Sequence, residues 1–220
     1  MPSDAALVTA RRTLHAVAEH LLAGPQWRHA REITLVVTAD GFATRFPPAP
    51  GIDALELTGT QVGARPTGPT APLAGSVRDL AAVLGVTPGA PEGLYAEHAE
   101  LGPDDELVVD AAAIAAVLGA FSAGAAALDE LARGTGHDAE TPVLWPEHFD
   151  VGVSLDEVNY GVSPGDAAHD VPYAYVGPWK PREGTFWNEP FGASRPVAEL
   201  RDAAGILAFF REGRALATPG

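Results

Sequence analysis

Residues 33–46 read ITLVVTADGFATRF. Ile33, Leu35 and Val37 alternate with Thr34, Val36 and Thr38, the period of two that a half-buried strand requires. Asp40-Gly41 is a two-residue turn signal. A turn closed there pairs Val37 with Thr44 and Leu35 with Phe46, with Phe42 on the same largely apolar face. Residues 149–162, FDVGVSLDEVNYGV, repeat the pattern. Phe149, Val151 and Val153 alternate with Asp150, Gly152 and Ser154, and Val158, Tyr160 and Val162 alternate with Glu157, Asn159 and Gly161. A turn at Leu155-Asp156, or a four-residue loop over 154–157, pairs Val153 with Val158, Val151 with Tyr160 and Phe149 with Val162. Two such hairpins predict antiparallel sheet.

Helices flank the hairpins. Residues 5–23 are amphipathic through Leu7, Leu14, Val17, Leu21 and Leu22, and Gly24-Pro25 is read as the stop. His15 and Glu19 fall one turn apart on the polar face, which reads as solvated. Residues 52–58 and 60–65 suggest two weaker strands, 65–75 a loop, 76–84 a short helix and 86–104 an irregular stretch. The longest helix is predicted over 110–133, with Asp110 as N-cap and Gly134 as stop. Ile114, Leu118, Phe121, Ala125 and Leu128 form its core stripe. Gly134-Thr-Gly136-His137-Asp138 then reads as helix stop and loop. A final amphipathic helix spans 196–213, with Val197, Leu200, Ala204, Leu207 and Phe210 inward. The expected class is α+β: antiparallel β-hairpins and sheet packed with a long central helix and N- and C-terminal amphipathic helices. One domain over 1–220 is expected, with a division into 1–100 and 101–220 as the alternative.

Composition narrows the function. Of 220 residues, 29 are acidic and 14 basic, a formal net charge of -15. A basic face for phosphate contacts is hard to build from this, so no nucleic-acid partner is expected. No membrane span is expected either. With no Cys, disulfides, thiolate catalysis and Cys-based metal sites are excluded. Arg11, Arg12, His15, Glu19 and His20 interrupt the N-terminal segment, which does not read as a targeting signal, so the expected location is cytoplasmic. Neither G-x-G-x-x-G after a strand nor G-K-[ST] is present, so no nucleotide cofactor is indicated and the cofactor is left unknown.

Chemistry-bearing residues converge on the second hairpin. The pleat that gathers its apolar residues puts Asp150 opposite Gly161, Gly152 opposite Asn159 and, with pairing extended, His148 opposite Ser163. Three uses follow. Ser163, His148 and Asp150 are candidate catalytic residues of a hydrolase, with Asn159 as oxyanion donor. Gly161-Val-Ser163-Pro164-Gly165 matches G-x-S-x-G in letters, but Pro164 lacks the N–H that a nucleophile elbow uses. His148, Asp150, Asp166 and His169 are candidate metal ligands, although none of their spacings is diagnostic. Trp145, Tyr175, Trp179 and Trp187 are candidate walls of a small-molecule pocket floored by His148, Asp150, Asn159 and Ser163. Against these stand loop-fixing histidines and core-filling tryptophans, and a structural or interaction role.

The runs Leu144-Trp-Pro-Glu-His148-Phe-Asp150, Asn159-Tyr-Gly-Val-Ser-Pro-Gly-Asp166, Pro172-Tyr-Ala-Tyr-Val-Gly-Pro-Trp179 and Phe186-Trp-Asn-Glu-Pro-Phe-Gly192 together resemble an actinobacterial family of unknown function. The resemblance is strongest over 142–192. It implies a single full-length domain and supplies no activity, cofactor or catalytic residue. Small-molecule binding at the aromatic-walled polar face is the leading expectation, with a Ser163–His148 or metal-dependent hydrolase as the alternative.

Overall fold

The computed structural model describes residues 2–136 and 140–217, so His137 and Asp138 lie outside the described residues. The protein is α+β, built on antiparallel strands, a long central helix and helices near both ends. It divides into two compact units, residues 1–119 with 144–149, and residues 120–143 with 150–220.

In the first unit, helix α1 (Asp4–Ala16) opens on Ser3, whose side chain accepts the Ala6 N–H. It runs without a break into a π-helical segment, Val17–Ala23, and then α2 (Gly24–Ala30). Gly24-Pro25 therefore does not end the helix. Proline has no N–H to return to the preceding turn, and the chain absorbs the loss by widening that turn. The Gly24 N–H bonds the Glu19 carbonyl five residues back. The His20 carbonyl, whose π-type donor would be Pro25, instead receives the Gly89 N–H at 2.9 Å. A glycine is needed at 24 because a Cβ there would lie 1.6 Å from the Gly89 carbonyl oxygen.

The π-helical segment packs on strands β1 (Leu35–Thr38) and β2 (Gly41–Thr44), which continue into β3 (Ala54–Thr58), β4 (Gln61–Arg65) and β5 (Thr70–Pro72). With β6 (Val143–Trp145) the order is β6-β1-β2-β3-β4-β5. The first hairpin forms two residues out of the expected register: Leu35 pairs with Thr44 and Val37 with Phe42. The turn is Ala39-Asp40, and Phe46 is exposed. Gly41 serves β3 rather than the turn, since a Cβ there would sit 1.8 Å from the Leu57 carbonyl oxygen. The slip is even, so Leu35 and Phe42 still reach the core, both fully buried. The buried Gln26 amide ties helix to hairpin, donating to the Glu32 and Thr34 carbonyls and accepting the Phe46 N–H. The stretch 65–75, expected as loop, contains β5. Helix α3 (Val77–Leu84) starts on a Ser76/Asp79 capping box.

Helix α4 (Ala111–Gly134) matches its expected span, and Asp110 caps it by accepting the Ala112 and Ala113 N–H groups. Ile114, Leu118, Phe121 and Leu128 of its expected stripe are buried. The view that no segment is apolar enough to cross a membrane is corrected here. Among the described residues this one helix passes by length and composition, with half of its most apolar 18-residue window buried in the protein.

In the second unit, β7 (Asp150–Leu155), β8 (Val158–Ser163), β9 (Tyr173–Pro178) and β10 (Ala193–Pro196) lie in the order β10-β9-β8-β7. The second hairpin also forms two residues from the expected register, Val151 with Val162 and Val153 with Tyr160. Its turn is Asp156-Glu157, both at positive φ, the sign a right-twisted two-residue hairpin loop requires. Its apolar face packs on helices: Val162 meets α4 at Gly124, and Tyr160 meets Phe210 edge-on at 5.8 Å. The last helix is two pieces, α5 (Val197–Leu200) and α6 (Ala203–Ala217), broken at Arg201 with φ 73. Its buried face is Ile206, Phe209, Phe210, Gly213 and Ala217. Ala204 is exposed, and Leu207 and Leu200 are only half-buried. The break resets the helical phase, which is why a continuous 196–213 reading misplaces the stripe.

Candidate functional site

The polar face of the second hairpin exists, with altered partners. Gly152 lies opposite Gly161 and Ser154 opposite Asn159, while Tyr175 and Ser194 continue the Gly161 row. The Tyr175 ring lies across Gly161, where a Cβ would come within 2.4 Å of its hydroxyl. That hydroxyl donates to the buried Asp150 carboxylate through a short hydrogen bond. Burial and the neighbouring Asp150 charge raise the Tyr175 pKa well above its ordinary value. A second pair is Tyr173, donating to Asp166 at 2.6 Å. Asp166 also accepts the Ala168 and His169 N–H groups, and these bonds outweigh burial and hold its carboxyl below the usual range. His169 bridges Asp166 at 3.3 Å and Glu189 at 3.0 Å, and Glu189 accepts the Ser194 hydroxyl. Burial alone would lower the His169 pKa, but the two carboxylates together raise it.

Other expected site residues disperse. The Ser163 hydroxyl is buried and bonded to the backbone of Gly165. His148 is exposed in the turn before β7 and makes no hydrogen bond or ion pair among the described residues. Trp179 is 62% exposed, with its indole N–H on the Asn159 carbonyl. Trp145 is exposed on β6, and Trp187 packs edge-on against Phe186 at 4.9 Å. Of the four candidate metal ligands only Asp166 and His169 are described as bonded to each other. No group of three or more His, Asp or Glu side chains among the described residues is placed to hold a metal.

The more telling cluster is one that sequence reasoning set aside. His15, Glu19 and His20 do not lie on a solvated face. Glu19 is fully buried, His20 is 6% exposed, and both lie in the π-helical segment, a feature frequent at functional sites. Glu19 Oε1 accepts from His98 Nδ1 at 2.7 Å, and Oε2 accepts the Ala99 N–H at 2.8 Å. A carboxylate offers lone pairs, so Nδ1 of neutral His98 carries the proton and Nε2 keeps a lone pair. Nε2 has no protein partner among the described residues, and the His98 side chain is 43% exposed.

Neighbouring groups frame this pair. His20 Nε2 donates to the Leu101 carbonyl at 3.1 Å and lies 3.5 Å from Glu19 Oε2. Burial lowers the His20 pKa, and its Nδ1 is buried with no hydrogen-bond partner among the described residues. The Tyr95 ring leans on His98 at 5.3 Å between centroids. Its buried hydroxyl makes no well-formed hydrogen bond, and burial with the nearby Glu19 raises its pKa strongly. His15 donates to the Pro146 carbonyl at 2.7 Å and stacks on Phe149 at 5.0 Å. Burial lowers the His15 pKa.

His98 lines a surface depression of about 390 Å³ with Arg28 and the segment Thr87–Gly93. That volume lies within the range of small-molecule sites, roughly 300–1,000 Å³. The segment is held on the helix by the Gly89–His20 bond and by Arg28, which donates to the Thr87 and Gly89 carbonyls. In sequence, only the Glu19-His20-x4-Pro25 arrangement hinted at this site, and its meaning depends on the turn that Pro25 widens. Comparison with family models, curated proteins and solved structures yields no match.

Proposed function

We propose that the protein binds a small molecule in the depression of the first unit, with His98 as the recognising side chain. The observation that carries this reading is the Glu19–His98 pair. A fully buried carboxylate fixes one imidazole nitrogen and leaves the other without a hydrogen bond among the described residues, in a half-exposed ring lining a ligand-sized depression. Holding a binding group by its far nitrogen reduces the ordering cost of recognition. The polar face of the second unit supports the reading less, because its tyrosines, carboxylates and His169 already bond one another.

The test is a ¹⁵N–¹H NMR titration of the labelled protein with acetate, benzoate, benzamide and inorganic phosphate, one at a time. The expected result is shifts confined to the amides of 87–93 and the His98 ring, abolished in a folded His98→Ala variant. Shifts that appear only around Asp150 and Tyr175, or nowhere, overturn the assignment.

A further inference from the structure

We infer that the Glu19–His98 pair is a general-base catalytic centre that activates water against a small carboxylic ester held in the depression. This rests on the binding reading above and adds a reaction to it. Three features of the geometry point past simple binding. The hydrogen bond runs from Nδ1 to the carboxylate, so the bare nitrogen is Nε2, the tautomer a histidine base needs. The carboxylate is fully buried and its second oxygen is committed to the Ala99 N–H, so it is held rigidly to orient the ring and stabilise the imidazolium when that forms. The same depression is lined by Arg28, whose guanidinium is positioned by loop carbonyls, and by Glu92, whose charge acts on that guanidinium without an ion-pair contact among the described residues. A cation there favours negative charge developing on an acyl oxygen.

In the step proposed, Nε2 takes a proton from water while the water oxygen bonds the acyl carbon. Collapse of the tetrahedral intermediate breaks the ester C–O bond, and the electron pair leaves with the alcohol oxygen. The imidazolium returns its proton to the leaving group or to solvent. No oxidant, metal or second substrate is needed for the balance. His98 is the catalytic residue and Glu19 the positioning residue.

The experiment is hydrolysis of p-nitrophenyl acetate by the whole protein from pH 5 to 8.5, with free imidazole at equal concentration as reference. Wild type is expected to exceed both imidazole and His98→Gln, with a loss of roughly 100-fold in the variant. A normal solvent deuterium isotope effect is expected for water activation. Because His98 is half-exposed, His98→Gln is expected to fold, and a thermal melt verifies it. Glu19→Gln, where it folds, is expected to slow the reaction and move the midpoint of the rate–pH profile to lower pH, which a purely structural role would not do. Equal rates for wild type and His98→Gln, or a wild-type rate no greater than that of imidazole, overturn the inference. If the fragment-induced shifts at 87–93 persist in that case, only the catalytic step fails. If they are absent too, the binding reading fails with it.

Discussion

The two units treat their histidines in opposite ways. In the first, His15 and His20 are packed into helix and π-segment with Nε2 on the Pro146 and Leu101 carbonyls, and burial outweighs the opposing pull of the Glu19 charge and lowers both pKa values. In the second, His169 lies between Asp166 and Glu189 at a partly exposed loop, and the paired carboxylates overcome burial and raise its pKa. Desolvation of deeply packed rings outweighs the single Glu19 charge, whereas two flanking carboxylates on a less buried ring reverse the sign. The carboxylates differ in parallel. Glu19 is fully buried and holds a histidine whose other nitrogen has no hydrogen-bond partner among the described residues, whereas Asp150 and Asp166 hold tyrosines through side-chain hydrogen bonds. The first arrangement leaves a group available to a ligand, and the second closes on itself.

Glycine substitutions test how each cluster is held. The largest effect is expected for Gly24→Ala. Its Cβ would meet backbone, the Gly89 carbonyl, at 1.6 Å, and neither the helix nor the Thr87–Gly93 segment can yield without losing the Gly89–His20 bond. A loss of about 3 kcal/mol or more is expected in urea denaturation, with the fragment-induced shifts at 87–93 abolished. Gly161→Ala should cost less, about 1–3 kcal/mol, because the obstacle is the Tyr175 side chain. Displacing that ring breaks its bond to Asp150 and should leave the first unit's amide spectrum unchanged. If Gly161→Ala disturbs His98, the contrast between a closed and an open cluster collapses.

The smallest effects are those of pH. His15 and His20 titrate below the ordinary 6.5 in the folded state, so the unfolded chain takes up protons first on acidification. Their contribution to stability is complete above about pH 6.5 and is lost as pH falls toward the lowered folded values. His169 titrates above 6.5, so its contribution is complete below that value and is lost as pH rises through the raised one. NMR titration of the imidazole C2 protons is expected to place His15 and His20 on one side of 6.5 and His169 on the other. Finding all three on the same side would remove the distinction. His169→Gln should abolish only the high-pH loss.

Much of the fold was legible because local patterns agree with it. The alternation in 33–46 and 149–162 assigned the correct faces, and the Asp110 cap placed the start of the longest helix. Both expected registers differ from the observed ones by two residues. Residue type puts the first turn at Asp40-Gly41, and the alternation puts the second at Leu155-Asp156. Gly41 is instead required by the approach of β3, and the second turn tolerates Asp156 and Glu157 at positive φ. An even slip leaves the faces intact but changes which polar residues meet. Asp150 meets Tyr175, a contact that the hairpin register alone does not predict, while Asn159 faces Ser154 rather than Gly152.

The sequence by itself determined what depends on near neighbours and on parity: antiparallel strands, their apolar and polar faces, and the cap of α4. Only the tertiary structure decided the placement of Glu19, His20 and His98. Helical periodicity put Glu19 on the outside, and nothing within a turn of it indicates the segment 95–101 that covers it. That segment is roughly 80 residues away along the chain, and Ala99, Leu101 and His98 meet Glu19 and His20 only once the Pro25-widened turn and its Gly89 bond are in place. Burial and long-range pairing are properties of the folded chain. They turned a pair that reads as solvent-facing into a buried carboxylate holding a histidine at the surface.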